Sequence, residues 1–464
     1  MPSRASAAPT SGPTSGATSG PTSGPRSNVI TTAAVGLMLF SMFFGAGNLI
    51  FPPMLGLEAG TNFWPAIIGF LATGVLLPIL TVIAVAISGS GVRDLAARAG
   101  SLFGLIFSLV VYLSIGAFYG VPRAAAIGYE LGVESTFHLD GPWWRLVGTG
   151  VFFAVAFALT LWPGKVVDTV GRILTPALLI LLVVLAVSAF RNLHTPMPQP
   201  AEKFADGPFV AGILQGYFTM DSIAALAFAL IVVSSFSNRG VTSHRSVVRV
   251  TILASAIAGF FLLLVYLGLG YVGTAMPQDR DYSDGAALLS HAAELTMGTT
   301  GEAVFSLIVL LACLTTVIGL TASTSTFFHE LVPQISYRWW ALILTVVGLL
   351  LANLGLERIL AVSGPIIGLI YPPAIALIAM TFVHLLRRDI EMPLAYRTAV
   401  TVAFAFSVLD LAASLGAPVG SLLDALSWIP LLSQGMGWLV PTIVLTAIAV
   451  VIDIRRAATT QAPR

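Results

Sequence analysis

The sequence predicts an all-α polytopic membrane protein with twelve transmembrane helices. Three observations carry this. Of 464 residues, 57% are hydrophobic and 9% charged, whereas a soluble domain carries about 25% charged residues on its wetted surface. The apolar residues fall in continuous runs of roughly 20, the length at which a helix crosses the ~30 Å hydrocarbon core. The basic residues divide unevenly between the two sets of connecting segments, as membrane orientation requires.

Residues 1–28 contain repeated Pro-Thr-Ser-Gly units. Such a stretch cannot bury enough apolar surface to order itself, and it reads as a disordered cytoplasmic tail. No short apolar core with a small-residue cleavage site follows, so it does not read as a signal peptide. The membrane domain then occupies 29–464. Its apolar runs lie near 30–55, 63–87, 101–122, 146–163, 173–190, 209–236, 248–274, 302–327, 339–354, 358–385, 396–416 and 426–452. With the N-terminus inside, sixteen of the 22 Lys and Arg residues fall on the cytoplasmic side and six outside. Both termini are therefore expected in the cytoplasm. Removing one span would scramble the alternation.

Composition also excludes function classes. Continuous apolar blocks exclude an outer-membrane barrel, whose strands alternate. The single cysteine, Cys313, excludes an intramolecular disulfide. The six histidines stand in loops or at helix ends without clustering, which argues against a transition-metal centre. No cofactor is expected. The formal net charge of +1 says nothing about partners; the bilayer is one, and no nucleic acid is expected.

Span 1 contains "FSMFFGAGNLIFPP" at residues 40–53. Gly45, Gly47 and Asn48 fall around half to two-thirds of the way across, and Pro52-Pro53 follow. Hydrocarbon offers no water to replace lost helical hydrogen bonds, so irregular backbone at this depth must be buried in protein or line a polar cavity. Carbonyls left unpaired before the break can coordinate a cation, and N–H groups after it attract a carboxylate. The alternative is a Gly/Pro kink that serves helix packing. Span 6 carries a second candidate break, "LQGYFTMDSIAAL" at 214–226, with Asp221 ~18 Å into the span. An ionisable residue at that depth is a functional candidate, or else a carboxylate that holds a kink. Breaks in spans 1 and 6 together predict a five-plus-five inverted repeat followed by two C-terminal helices, with the substrate between the discontinuous helices 1 and 6.

In span 8, Ala312, Thr315 and Thr316 lie within about one helical turn. Hydroxyls plus a backbone carbonyl suit a hard, weakly bound cation such as Na⁺, without the carboxylate density of a Ca²⁺ site. The alternative is threonines bonded to their own helix or packing against a neighbour. Arg123 either closes an outer vestibule, pairs with Glu130, or snorkels to the interface. Asp410 in span 11 lies outside the ten-helix repeat and reads as a structural or oligomer-contact residue. Pro365, Tyr371, Pro372 and Pro373 in span 10 shape a gating helix, because proline frees carbonyls and bends it.

These motifs resemble the branched-chain amino acid:cation symporter family, the BrnQ-type carriers of bacteria. The matching stretches are "FSMFFGAGNLIFPP" (40–53), "GVPRAAAIGYE" (120–130), "KVVDTVGRILTP" (165–176), "GYFTMD" (216–221), "LACLTTVIGL" (311–320), "LIYPPAIALI" (369–378) and "GWLVP" (437–441). They run in order from span 1 to span 12. The resemblance implies import of leucine, isoleucine and valine by symport with Na⁺, or alternatively with protons or with another small hydrophobic amino acid. It also implies the leucine-transporter-type fold, in which the first-helix break and the eighth helix share a sodium site. That site falls here on the carbonyls of Ser41, Phe44 and Ala312 and the hydroxyls of Thr315 and Thr316. A second ion touching the substrate carboxylate would fall on Asn48 and Thr219, while Asp221 matches no ion ligand of that fold and is left to proton coupling or a supporting role.

The substrate carboxylate would then meet the N–H groups of Gly45, Ala46, Gly47 and Asn48, and its ammonium the carbonyls around Phe218 and Thr219. Phe43, Phe44, Tyr217 and Phe218 are candidate walls for its aliphatic chain. One methylene is worth only ~1–3 kcal/mol in an apolar pocket, so discrimination among the three amino acids should be weak. Two other classes fit poorly. A membrane enzyme needs a catalytic constellation, yet the mid-membrane acids Asp221 and Asp410 stand on well-separated spans. A channel or sensor needs a pore-lining ring or a sizeable soluble domain. Oligomeric state is left open.

Overall fold

The computed structural model describes residues 25–89, 91–134, 136, 139, 141–219, 221–241, 243–277, 281–282 and 284–461. Most of the expected tail, residues 1–24, lies outside them, while its last residues, from Pro25, already belong to the first helix. Proline suits a first helical turn because its φ is pre-set and its missing N–H would be unpaired there.

The longer helices are numbered in chain order. Helix α1 (Pro25–Phe43) ends at Phe44 and Gly45, and α2 (Ala46–Ala59) begins directly after. Helices α3 (Phe63–Leu71) and α4 (Leu77–Ser88) are joined by a π-helical stretch, as are α5 (Ser101–Tyr112) and the break at Tyr119 that precedes α6 (Gly120–Tyr129). Next come α7 (Pro142–Thr160), α8 (Thr175–Asn192), α9 (Pro208–Phe218) and α10 (Asp221–Ser237). Beyond them lie α11 (His244–Thr274), α12 (Gly285–Met297), α13 (Thr299–Leu331) and α14 (Tyr337–Ala352). Helices α15 (Leu356–Leu386), α16 (Pro393–Ser414) and α17 (Leu439–Gln461) complete the chain. No strand occurs among the described residues.

Among the described residues, eight helical stretches are long and apolar enough to cross a membrane. A ninth is the pair α9 and α10, bent by 48°. This is a multi-pass membrane protein. Several exposed tryptophans stand at helix starts: Trp64 on α3, Trp143 and Trp144 on α7, Trp339 on α14. Indole rings favour the headgroup level, where one edge is apolar and the other wet.

Burial separates core from rim. Nearly every residue of α10 is buried, so it has no polar face and can only be a core helix. Helix α13 is buried along most of its length, whereas α7 and α8 show most of their apolar surface. Helices α1 and α2 pack on α11, α3 packs on α9, and α4 packs on both α10 and α11. Without a hydrophobic drive between helices in lipid, close backbone approach through small residues takes its place. A Cβ at Gly56 would collide with the Gly270 carbonyl, and one at Gly273 with the Pro53 carbonyl, so α2 and α11 touch backbone to backbone. Gly69 and Gly212 do the same for α3 and α9.

Candidate functional site

The first break is built by local rules. The Phe44 amide still donates to the Phe40 carbonyl at 2.8 Å, closing α1. Gly45 is extended, with φ −111° and ψ −166°, and is the N-cap of α2. Its amide donates to Oδ1 of Asn48 at 3.3 Å, while the Asn48 amide donates to the Gly45 carbonyl at 3.1 Å. Asn48 therefore supplies the side-chain half of a capping box, with the Gly45 carbonyl accepting in place of the side chain that glycine lacks. Pro52 and Pro53, inside α2, cannot donate to the Asn48 and Leu49 carbonyls one turn back. A side chain at Gly45 would stand 2.9 Å from Oγ1 of Thr316, so glycine leaves room for α13 against the break.

Asn48 also joins the two breaks. Its Nδ2 donates to Oδ2 of Asp221, the first residue of α10, at 2.7 Å. The same amide reaches the Tyr266 hydroxyl on α11. All three side chains are buried. Asp221 is thus held by neutral donors, with no ion pair to it among the described residues.

On the other side of the break, Oγ1 of Thr315 donates to the carbonyls of Ser41 at 2.8 Å and Ala312 at 3.1 Å. The structure therefore brings together three of the expected sodium ligands, Ser41, Ala312 and Thr315, all fully buried. Thr316 reaches the Met42 carbonyl at 3.1 Å, a residue the sequence reading did not name. The Phe44 ring stacks on Phe40 at 5.6 Å and lies beside Tyr266. The atoms that meet here are all oxygens, the kind a hard monovalent cation takes, and the Thr315 hydroxyl could offer such a cation a lone pair by turning its proton away.

Between the breaks lies a cavity of about 90 Å³, several times the ~10–15 Å³ that one water needs. Gly45, Gly47, Asn48, Thr219, Asp221 and Thr316 line it, together with Phe43, Ile115, Tyr119, Arg123, Ile223, Leu320 and Ile367. Of Ala46, the structure describes the backbone, which opens α2; its side chain lies outside the described residues. Tyr217 and Phe218 are not brought to this cavity. They line a separate cavity of about 380 Å³ with Tyr371 and Asp410, where the Tyr217 ring sits 4.6 Å from that of Tyr371. Residues of one helix step round its axis at 3.6 per turn, so a face that presents Thr219 turns its neighbours elsewhere.

Arg123 does not pair with Glu130, which is bridged by Arg145 at 3.4 Å. Arg123 instead bonds the Tyr119 hydroxyl one turn back on its own span and stands over that ring, 5.2 Å from its centroid. Tyr266 and Tyr119 are not marked in the sequence, because a tyrosine in an apolar span carries no signal until a partner meets it.

Asn48→Ala should lower stability by ~1–3 kcal/mol, since it removes a donor that a buried carboxylate and a buried hydroxyl share. Thr219→Val should cost less, because the Thr219 hydroxyl bonds the Gly216 carbonyl of its own segment at 2.8 Å. Thermal unfolding in detergent checks the order; equal midpoints would refute the bridging role of Asn48.

Residues 28–456 match the model of a family described as branched-chain amino acid transport protein. The branched-chain amino acid permease BrnQ of Corynebacterium glutamicum is 45% identical over 417 residues, covering 90% of this chain and 94% of that one. BraB of Bacillus subtilis, also a branched-chain amino acid permease, is 38% identical over 431 residues, covering 91% and 95%. BrnQ of Escherichia coli K12 is 37% identical over 429 residues, covering 90% and 95%. Among solved structures, the nucleobase-cation-symport-1 family transporter MHP1, closed on bromovinylhydantoin, superposes with a TM-score of 0.55 at 15% identity, covering 92% and 93%. A manganese transporter of Eremococcus coleocola gives 0.54 at 16%, covering 93% and 96%. At such identities the likeness is one of fold.

Proposed function

This chain belongs to the branched-chain amino acid transport protein family, and on that premise we propose that it imports leucine, isoleucine and valine by symport with Na⁺. It is a membrane carrier. The observation that carries the coupling ion is the Thr315 hydroxyl, set between the Ser41 and Ala312 carbonyls beside the α1–α2 break. The substrate lies in the cavity between the two breaks. Its carboxylate meets the amides that open α2, and its aliphatic chain meets Ile115, Leu320 and Ile367.

Twelve crossings are the proposed topology, in a five-plus-five inverted repeat with two further helices and both termini cytoplasmic. Two observations support it. The apolar stretch Gly47–Ser88 has 42 residues, about twice the ~20 that one crossing needs. Gly60, at φ 48°, turns the chain within it. The Asn48–Asp221 bond also joins the starts of α2 and α10, as expected where two discontinuous helices face each other. The packing of α1, α2, α3, α4, α9, α10 and α11 on one another supports a unit that rocks against the remaining helices.

The test is radiolabelled leucine uptake into proteoliposomes under an imposed sodium gradient or an imposed proton gradient, at equal membrane potential. A tenfold sodium gradient holds about 1.4 kcal/mol, so one Na⁺ per leucine should support about tenfold accumulation at zero potential. Excess isoleucine and valine should block it. Uptake driven by protons without sodium would keep the substrate and move coupling to Asp221. No uptake by folded protein would overturn the substrate assignment.

A further inference from the structure

Arg123 and Asp221 line the same cavity with opposite charges, and among the described residues no ion pair joins them. Burying one charge is costly unless a counter-charge meets it. Asp221 has a neutral amide on its carboxylate, and the Arg123 guanidinium rests on a neutral phenol. Each charge therefore lacks a partner in contact, although the field of Arg123 reaches Asp221.

We propose that this pair reads the two charges of a free α-amino acid, with Arg123 taking the substrate carboxylate and Asp221 its ammonium. The proposal rests on the substrate cavity given above: it adds Arg123 to the α2 amides as a partner of the carboxylate, and gives to Asp221 the ammonium that the sequence places against carbonyls around Phe218 and Thr219. Three features favour it. A Cβ at Gly47 would lie 3.6 Å from Nη2 of Arg123, so the guanidinium stands beside the first turn of α2, where amide N–H groups already favour an anion. Arginine carries five N–H donors, and bonding to Tyr119 uses one of them. Ile115, Ile223, Leu320 and Ile367 give the cavity an apolar wall apart from Arg123 and Asp221, so the charged end of the substrate and its side chain have different places to go. Tyr119 holds the guanidinium in place when no carboxylate is present.

The test compares three ligands on purified protein in detergent, by competition with radiolabelled leucine: leucine itself, 3-methylbutylamine, which lacks the carboxylate, and 4-methylpentanoate, which lacks the ammonium. The wild type should bind leucine about 100-fold more tightly than either analogue. In Arg123→Gln, leucine binding should weaken about 30-fold, which is about 2 kcal/mol at 1.4 kcal/mol per tenfold. The ratio between leucine and 3-methylbutylamine should then collapse toward one, while 4-methylpentanoate still binds poorly. Asp221→Asn should do the converse. Arg123→Lys should keep discrimination against the amine. Should Asp221→Asn fail to fold, the Arg123→Gln and Arg123→Lys pair decides alone. A purely structural Arg123 would weaken all three ligands alike, and that result overturns the clamp while leaving leucine transport standing. A folded wild type that binds no leucine overturns both.

Discussion

Thr315→Val should abolish the sodium dependence of uptake while leaving the protein folded. The Thr315 hydroxyl is fully buried and joins the Ser41 carbonyl, at the end of α1, to α13. Valine fills nearly the same volume, but it replaces an oxygen ligand with a methyl group that a cation cannot use. The fold loses one buried hydroxyl with two weak commitments, worth about 1 kcal/mol net. The ion loses one of a small set of oxygens. Leucine uptake under a sodium gradient should therefore fall at least about tenfold, the equivalent of about 1.4 kcal/mol, and sodium should no longer raise the unfolding midpoint. Thr315→Ser keeps the oxygen and should retain sodium dependence. Unchanged sodium dependence in Thr315→Val would remove the cation from this place.

Gly273→Leu should leave little folded protein. The Gly273 Cα faces the Pro53 carbonyl so closely that any Cβ would occupy its space, and Gly56 faces the Gly270 carbonyl in the same seam. Backbone cannot give way as a flexible side chain can. Overpacking typically costs ~1–3 kcal/mol where side chains can shift; here helices α2 and α11 must separate, and with them Asn48 and Tyr266. Gly150→Ala on α7 is the control, since a Cβ there meets nothing within 4 Å. Its folded yield should match the wild type. Size-exclusion profiles in detergent decide the matter: a wild-type profile for Gly273→Leu would mean that the seam is not tight.

The two breaks were legible because each goes against its surroundings. Glycines, an asparagine and an aspartate in a lipid-soluble run have no local reason to be there, so their depth pointed to a site. Span 8 was legible for a weaker reason, two adjacent threonines whose partners were unknown. Tyr217 and Phe218 line a different cavity from Thr219, because adjacency to a break leaves open which neighbour a side chain faces. For Arg123 the sequence leaves open a vestibule gate, a pair with Glu130 or a snorkelling side chain; the fold gives Glu130 to Arg145 and leaves Arg123 on Tyr119 beside the cavity.

By itself the sequence determined the membrane class and most of the stretches that become helix, although the expected twelfth span, 426–452, becomes α-helix only from Leu439. These follow from quantities local to the chain: transfer cost per residue, rise per residue and the presence or absence of an N–H. Only the tertiary structure decided that Asn48 meets Asp221, 173 positions away, and Tyr266, 218 positions away. It likewise decided that Thr315 closes on Ser41 and that Arg123 shares a wall with Asp221. Such meetings depend on the rotation of each helix about its axis, set by which small residues let two backbones touch, and no local property of either segment contains it.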